Sequence, residues 1–86
     1  MKEERIGFVS HYFNKIGVAS VVLEGELAVG DTIHIKGRAT DFTQKLESMQ
    51  IEHKSVEHAK KNDDIAIKVT EYARERDVVY KVIEEG

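Results

Sequence analysis

Short apolar runs separated by turn residues dominate this chain. The internal glycines stand at positions 7, 17, 25, 30 and 37, and the segments between them are rich in Val and Ile. The alternation is clearest in Thr32–Lys36, where Ile33 and Ile35 point to one side and the polar residues to the other. This pattern is typical of a half-buried antiparallel strand, and the Gly30-Asp31 turn before it supports that interpretation.

Similar patterns predict further strands along the chain. They cover Ile6–Phe13, Val18–Glu24, Phe42–His53, Ile65–Thr70 and Val78–Ile83. Within the predicted strand Phe42–His53 the apolar side changes between Leu46 and Met49, which predicts a bulge or a strong bend. Ser55–Asn62 is compatible with one turn of helix. The charged segment Glu71–Arg76 is expected to be exposed, as a loop or a short helix.

These elements favour an all-β fold. A sheet of this size leaves unpaired backbone groups at its edges unless it closes on itself. We therefore expect residues 1–86 to form a single domain, a small closed antiparallel barrel of six or seven strands with Greek-key-like connections. Six side chains are predicted to share its dry interior: Ile33, Ile35, Leu46, Ile65, Ile67 and Val78.

Composition narrows the classes of function. The chain of 86 residues has no cysteine, which excludes disulfides and thiolate chemistry. Its net charge is −3, from 13 basic and 16 acidic residues, so it lacks the positive field of a general nucleic-acid binder. No apolar run approaches the roughly 20 residues of a membrane-spanning helix, and no signal-peptide core follows the N-terminus. A cytoplasmic location is expected.

The segment from Leu27 to Ile35, with Gly30-Asp31 at its centre, resembles domain two of the translational GTPases, the β-barrel of elongation factor Tu and its relatives. Residues 56–67 and 76–80 are similar to two further motifs of that family. Asn62 and Arg76 stand where the family has glycine; Asn tolerates a left-handed backbone, whereas Arg implies an altered or strained turn. A similar barrel also resembles the C-terminal part of collagenase-like U32 peptidases.

Basic residues are the most suggestive candidates for a binding site. With a nearby aromatic residue they would contact single-stranded RNA, and the candidate residues are Lys36, Arg38, Phe42, Lys45, Lys60 and Lys61. The first two and Lys45 are expected to lie together around the loop after the Gly30-Asp31 hairpin. The alternative interpretation puts Phe42 in the core and leaves the lysines as solvated surface residues.

No catalytic or metal-binding constellation is recognisable. The histidines lack metal-ligand spacing, and Asp63 and Asp64 are neighbours in the chain that point to opposite faces of a strand. A phosphate-binding glycine loop is also absent, so we expect no nucleotide, no cofactor and no enzymatic activity. The resemblance implies a non-catalytic binding module that contacts RNA (tRNA or rRNA) or a ribonucleoprotein partner. The alternative is a protein–protein adaptor that docks on a separately encoded enzyme such as a U32-type peptidase. The sequence gives no indication of the oligomeric state.

Overall fold

A computed structural model describes residues 2–83, which form strands, turns and loops without a helix. The strands are β1 (Lys2–Phe13), β2 (Val18–Leu23), β3 (Leu27–Ala28), β4 (Thr32–Lys36), β5 (Asp41–Lys45), β6 (Met49–Ile51), β7 (Lys54–Val56), β8 (His58–Ala59), β9 (Asp64–Lys68) and β10 (Val78–Ile83). Eight of them form an antiparallel sheet in the order β5-β4-β10-β1-β2-β9-β6-β7, and β3 pairs with β8. The predicted all-β, antiparallel class is confirmed.

The predicted closure of the barrel is not confirmed. Within residues 2–83 no backbone ladder joins β5 to β7, the two ends of the large sheet. A side chain of β5 does reach another strand of the sheet. The Gln44 amide nitrogen donates to the Lys68 carbonyl at 2.9 Å, and the Thr70 N–H donates to the Gln44 amide oxygen at 2.8 Å. An amide side chain thus links β5 to the end of β9.

The core lies on the inner face of the curved sheet. Five of the six predicted interior residues are at most 1% exposed: Ile33, Ile35, Leu46, Ile65 and Ile67. The prediction for Val78 is wrong, because Val78 is half-buried on the outer face, where it pairs with Phe8 and Lys36. Its neighbour Val79 is fully buried instead. Both sides of this strand are largely apolar, so alternation alone could not choose the inner one.

Three turns of identical construction start β4, β9 and β10. In each turn an aspartate carboxylate accepts the N–H of the residue three positions earlier, and the aspartate N–H donates to that residue's carbonyl. The pairs are Asp31 with Ala28, Asp63 with Lys60 and Asp77 with Arg74, at 2.8–3.1 Å. The residue before each aspartate has a left-handed backbone, with φ of 101° at Gly30, 77° at Asn62 and 75° at Arg76.

Each of these turns also holds one buried aliphatic residue from a distant part of the chain. The left-handed residue donates its N–H to that residue's carbonyl, and the aspartate carbonyl accepts that residue's N–H. The residues held are Leu46, Leu23 and Val9, through hydrogen bonds of 2.8–2.9 Å. All three are at most 1% exposed, so every turn is joined directly to the core.

Two predicted elements differ from the structure. The expected helical turn at Ser55–Asn62 is wrong, because this segment contributes to β7 and contains β8. The expected long strand Phe42–His53 is divided into β5 and β6, and a tight turn at Glu52 and His53 then reverses the chain into β7. Those two residues have φ of 50° and 67°, which is the backbone of a two-residue hairpin turn usually made by Asn-Gly.

Gly37 is required by the close approach of the third aspartate turn. A Cβ atom at this position would lie 1.9 Å from the Asp77 carboxylate oxygen. The Asp77 side chain is 5% exposed and caps the Arg74 N–H, so it has little room to move. The loop after β4 can therefore pack on this turn only without a side chain at position 37.

We expect Gly37→Ala to destabilise the protein by about 1–3 kcal/mol, because displacing Asp77 breaks a buried hydrogen bond. Gly25→Ala is the matched control, since a Cβ there would meet Ile6 at 3.5 Å, an ordinary contact. The control is expected to stay within about 1 kcal/mol of wild type. Urea unfolding measures both, and equal losses in the two variants would contradict the close-approach explanation.

Candidate docking surface

The predicted cluster of Lys36, Arg38 and Lys45 does not form. In the β4–β5 hairpin Lys36 pairs with Asp41, whereas Lys45 pairs with Thr32. Four residues of extended strand, roughly 13 Å, therefore separate the two lysines along the hairpin. Arg38 lies in the loop at the Lys36 end. The expectation that these three residues lie together is wrong, because Lys36 and Arg38 lie at one end of the hairpin and Lys45 lies at the other.

The other predicted contact residues have different surroundings. Phe42 is 6% exposed and belongs to the core, as the alternative interpretation expected, so its ring offers no free face for stacking on a base. Lys60 and Lys61 are exposed in the turn between β8 and β9. The Lys60 backbone N–H donates to the Asp63 carboxylate at 2.9 Å, so the backbone of Lys60 is part of the second aspartate turn. A binding role for the two lysine side chains stays a prediction.

Within residues 2–83, no three His, Asp or Glu side chains converge in the way that a metal site requires. In the same part of the chain, no helix has the length and hydrophobicity to cross a membrane.

Exposed apolar side chains concentrate at one end of the molecule. In the described part of the chain four large hydrophobic residues are exposed, and three of them lie on the β1–β2 hairpin or on the loop beside it: Phe13 at 44%, Ile16 at 63% and Tyr72 at 54%. The fourth, Val29 at 38%, lies elsewhere, in the turn before β4. The three side chains and Tyr12 are called the hairpin surface below.

Backbone hydrogen bonds fix the geometry of this surface. The N–H groups of Ile16 and Gly17 donate to the Phe13 carbonyl at 3.2 and 2.9 Å, closing the hairpin turn. The Val69 N–H donates to the Gly17 carbonyl at 2.9 Å, which brings the loop of residues 69–77 to the hairpin. Tyr72 then lies against Tyr12, with ring centroids 4.6 Å apart. The surface is therefore an ordered part of the fold.

Both faces of the hairpin are apolar. Tyr12 and Phe13 are consecutive in β1 and point to opposite sides. Tyr12 packs with Tyr72, whereas Phe13 meets the edge of the His11 ring with centroids 4.4 Å apart. His11 in turn lies 3.1 Å from a carboxylate oxygen of Glu75 in the adjoining loop. The hairpin thus forms a wedge with aromatic rings on each side.

Two features of the chain hide this surface at the level of the sequence. Tyr12 and Phe13 lie in a strand whose apolar pattern has no single parity, because β1 contains an irregularity between Val9 and His11. Tyr72 lies in a segment whose charge predicts only that it is exposed. The contact between this loop and the hairpin follows from the strand order, which local patterns do not carry.

A polar cluster around His34 joins three strands on the outer face. His34 of β4 has its Nδ1 at 2.6 Å from the Glu3 carboxylate of β1 and its Nε2 at 2.5 Å from the Asp41 carboxylate of β5. The His34 side chain is 15% exposed, and the Tyr80 ring lies beside it at 6.2 Å between centroids. Both ring nitrogens must donate to satisfy the two carboxylates, so this arrangement favours the imidazolium form.

The cluster shifts two pKa values in opposite directions. The hydrogen bond to Asp41 raises the pKa of His34 above its ordinary value of 6.5; partial burial opposes this shift, and Glu3 adds to it. The hydrogen bond from His34 lowers the pKa of Asp41 below its ordinary value of 3.8. A histidine held in this way by two carboxylates has no free nitrogen to accept a proton from a substrate.

Comparison with known proteins relates the chain to segments of larger proteins. No family model matches it. It is 42% identical over 76 residues to an uncharacterized protease of Methanocaldococcus jannaschii, and 42% identical over 72 residues to a collagenase of Porphyromonas gingivalis. These alignments cover 87% and 81% of this chain, but only 19% and 20% of the relatives. The chain therefore spans about one fifth of the length of the curated relatives it matches.

Solved structures share the fold. The C-terminal domain of a Geobacillus thermoleovorans protein named as a U32 peptidase superposes with a TM-score of 0.87, covers 93% of both chains and is 23% identical. The selenomethionine variant of that domain superposes with a TM-score of 0.84 and covers 88% of this chain.

These findings correct the predicted family relationship. The resemblance to domain two of the translational GTPases is wrong as an assignment, because the matched relatives are named as a protease and collagenases and the matched structures come from a protein named as a U32 peptidase. The predicted RNA-binding role depended on that resemblance and is withdrawn with it. The similarity to the C-terminal part of U32 peptidases, drawn from the same strand pattern, agrees with the comparisons.

The His34 cluster leads to a prediction about pH. The pKa of His34 is raised in the folded protein. The stabilisation of the fold by His34 is therefore complete below about pH 6.5 and declines as the pH rises through the pKa of the folded state. The lowered pKa of Asp41 means that its stabilisation is present above about pH 3.8 and declines as the pH falls through the folded value. The cluster should therefore stabilise the fold most between these two limits.

Replacing His34→Gln should flatten the decline in stability on the alkaline side of pH 6.5, measured as urea midpoints across the pH range. His58→Gln is the matched control, because His58 is exposed on β8. A His34→Gln profile parallel to wild type would show that the cluster does not couple protonation to folding.

Proposed function

We propose that this chain is a non-catalytic docking module for a U32-type peptidase, and that the hairpin surface binds the peptidase body. By the body we mean the part of such a protein outside the segment that matches this chain, roughly four fifths of the M. jannaschii relative. The names of the relatives describe whole proteins. Bond cleavage is accordingly proposed to belong to the body, and binding to the module.

The observation that carries this proposal is the concentration of exposed apolar side chains at one end of the molecule. Phe13, Ile16 and Tyr72 are between 44% and 63% exposed, although 34% of the chain's residues are charged and could have covered the surface. Clustered exposed apolar groups mark interaction sites in soluble domains. Aromatic residues supply much of the binding energy at protein interfaces when they are buried by a partner.

Two polar groups that could have acted as an acid or a base are engaged in the fold. His34 has both nitrogens engaged by carboxylates, and the buried carboxylate of Asp77 accepts a backbone N–H of its own turn. Catalytic acids and bases need a free lone pair or proton within reach of a substrate. In these two groups the hydrogen-bonding capacity serves the fold.

Docking on a peptidase body applies equally to a covalently attached and to a separate module. A covalent link would raise the effective concentration of the two surfaces without changing their contacts. The same side chains of the hairpin surface would be buried in either arrangement. This allows the interaction to be measured between two separate polypeptides.

The double variant Phe13→Ser/Tyr72→Ser should weaken binding to the peptidase body by at least about tenfold, because interface aromatic residues commonly contribute more than 1 kcal/mol each. The probe is the M. jannaschii relative without the segment that matches this chain. Isothermal titration calorimetry measures the affinity, and circular dichroism verifies that both proteins are folded.

Val29→Ser is the matched control, because Val29 is exposed to 38% but lies outside the hairpin surface. It should bind as wild type does. Failure of the wild-type chain to bind would contradict the proposed function, whereas equal losses in the double variant and in the control would place the docking surface elsewhere.

A further inference from the structure

Resting on the proposed docking function, we infer that the hairpin surface recognises an apolar pocket rimmed by carboxylates on the peptidase body, and that Arg74 is the specificity-determining residue. Arg74 lies at the edge of the surface, with its guanidinium carbon 5.1 Å from the centroid of the Tyr72 ring. An arginine held over an exposed aromatic ring combines apolar contact with a directed positive charge.

The backbone at Arg74 is held in place by a buried group. Its N–H donates to the Asp77 carboxylate at 2.8 Å, and its carbonyl accepts the Asp77 N–H at 3.1 Å. Asp77 is 5% exposed, and its own carbonyl accepts the N–H of buried Val9. The guanidinium therefore projects from a rigid turn, which reduces the conformational entropy that binding would cost.

The Arg74 guanidinium has no carboxylate within ion-pair distance in the described part of the chain. The Asp77 carboxylate next to it accepts the backbone N–H, and the Glu75 carboxylate lies 3.1 Å from His11. Glu71 is the remaining acidic residue of the loop and is exposed. Arg74 is thus available for a carboxylate supplied from outside the module.

Basic side chains flank the apolar rings of the surface. The hairpin turn and the loop carry three basic residues, Lys15, Arg74 and Arg76, against three acidic residues, Glu71, Glu75 and Asp77, so their formal charges cancel, whereas the whole chain carries −3. Asp77 is buried, so the exposed charged residues alone give +1. Apolar rings between cations are complementary to an apolar pocket with acidic groups at its rim.

A guanidinium and a carboxylate form two parallel hydrogen bonds when their planes align. This geometry distinguishes arginine from lysine, so it makes the interaction selective for position as well as for charge. Burial of Tyr72 in the pocket would exclude water from the pair beside it and strengthen the attraction. The aromatic residues would then supply affinity, and Arg74 would select the partner.

The test uses the same probe, the M. jannaschii relative without its matching segment, and three variants of the full chain. Arg74→Glu should weaken binding by at least about tenfold, and Arg74→Lys should recover only part of the loss. Arg38→Glu makes the same change at an exposed arginine of another loop and should stay within about twofold of wild type.

Salt dependence provides a second readout. Raising NaCl from about 50 mM to about 500 mM should weaken wild-type binding several-fold, whereas Arg74→Gln should lose most of that dependence. If wild type binds and Phe13→Ser/Tyr72→Ser does not, but Arg74→Glu binds normally and salt has no effect, only the carboxylate inference is overturned. If wild type does not bind at all, the docking function itself fails.

Discussion

The constraint on which this fold depends is the hydrogen bonding between each aspartate turn and one buried aliphatic residue. In such a turn the chain must adopt a left-handed backbone directly before an aspartate, and the N–H and carbonyl groups of the turn then bind Leu46, Leu23 or Val9. These hydrogen bonds set the first residue of three strands. Because a shift of one residue exchanges the two sides of a strand, they also determine which side chains reach the core.

This constraint explains which features could be predicted from the sequence. Gly30-Asp31 and Asn62-Asp63 carry recognisable turn residues, and the strands after them have one clearly apolar side, so Ile33, Ile35, Ile65 and Ile67 were placed correctly. The third turn has Arg76 in the left-handed position, where no propensity indicates it. The strand that follows is apolar on both sides, and its inner face was assigned incorrectly as a result.

Other features depended on contacts that local patterns do not carry. Glu52 and His53 form a tight turn without the Asn-Gly signal, so the sequence does not indicate the reversal of the chain between β6 and β7. The hairpin surface requires the loop of residues 69–77 to reach β1, which follows from the order of strands in the sheet. The charge of a basic residue is evident from the sequence, whereas the exposure of Phe13 and Tyr72 is evident only from the fold.

The Gln44 side chain has a consequence for solubility. The amide group presents a donor and an acceptor to Lys68 and Thr70, where the peptide group of an adjacent strand would otherwise bind. Exposed strand edges are templates for intermolecular pairing, which leads to aggregation. By occupying these positions within its own chain, the protein withholds the end of β9 from a foreign strand without an added helix or a further strand.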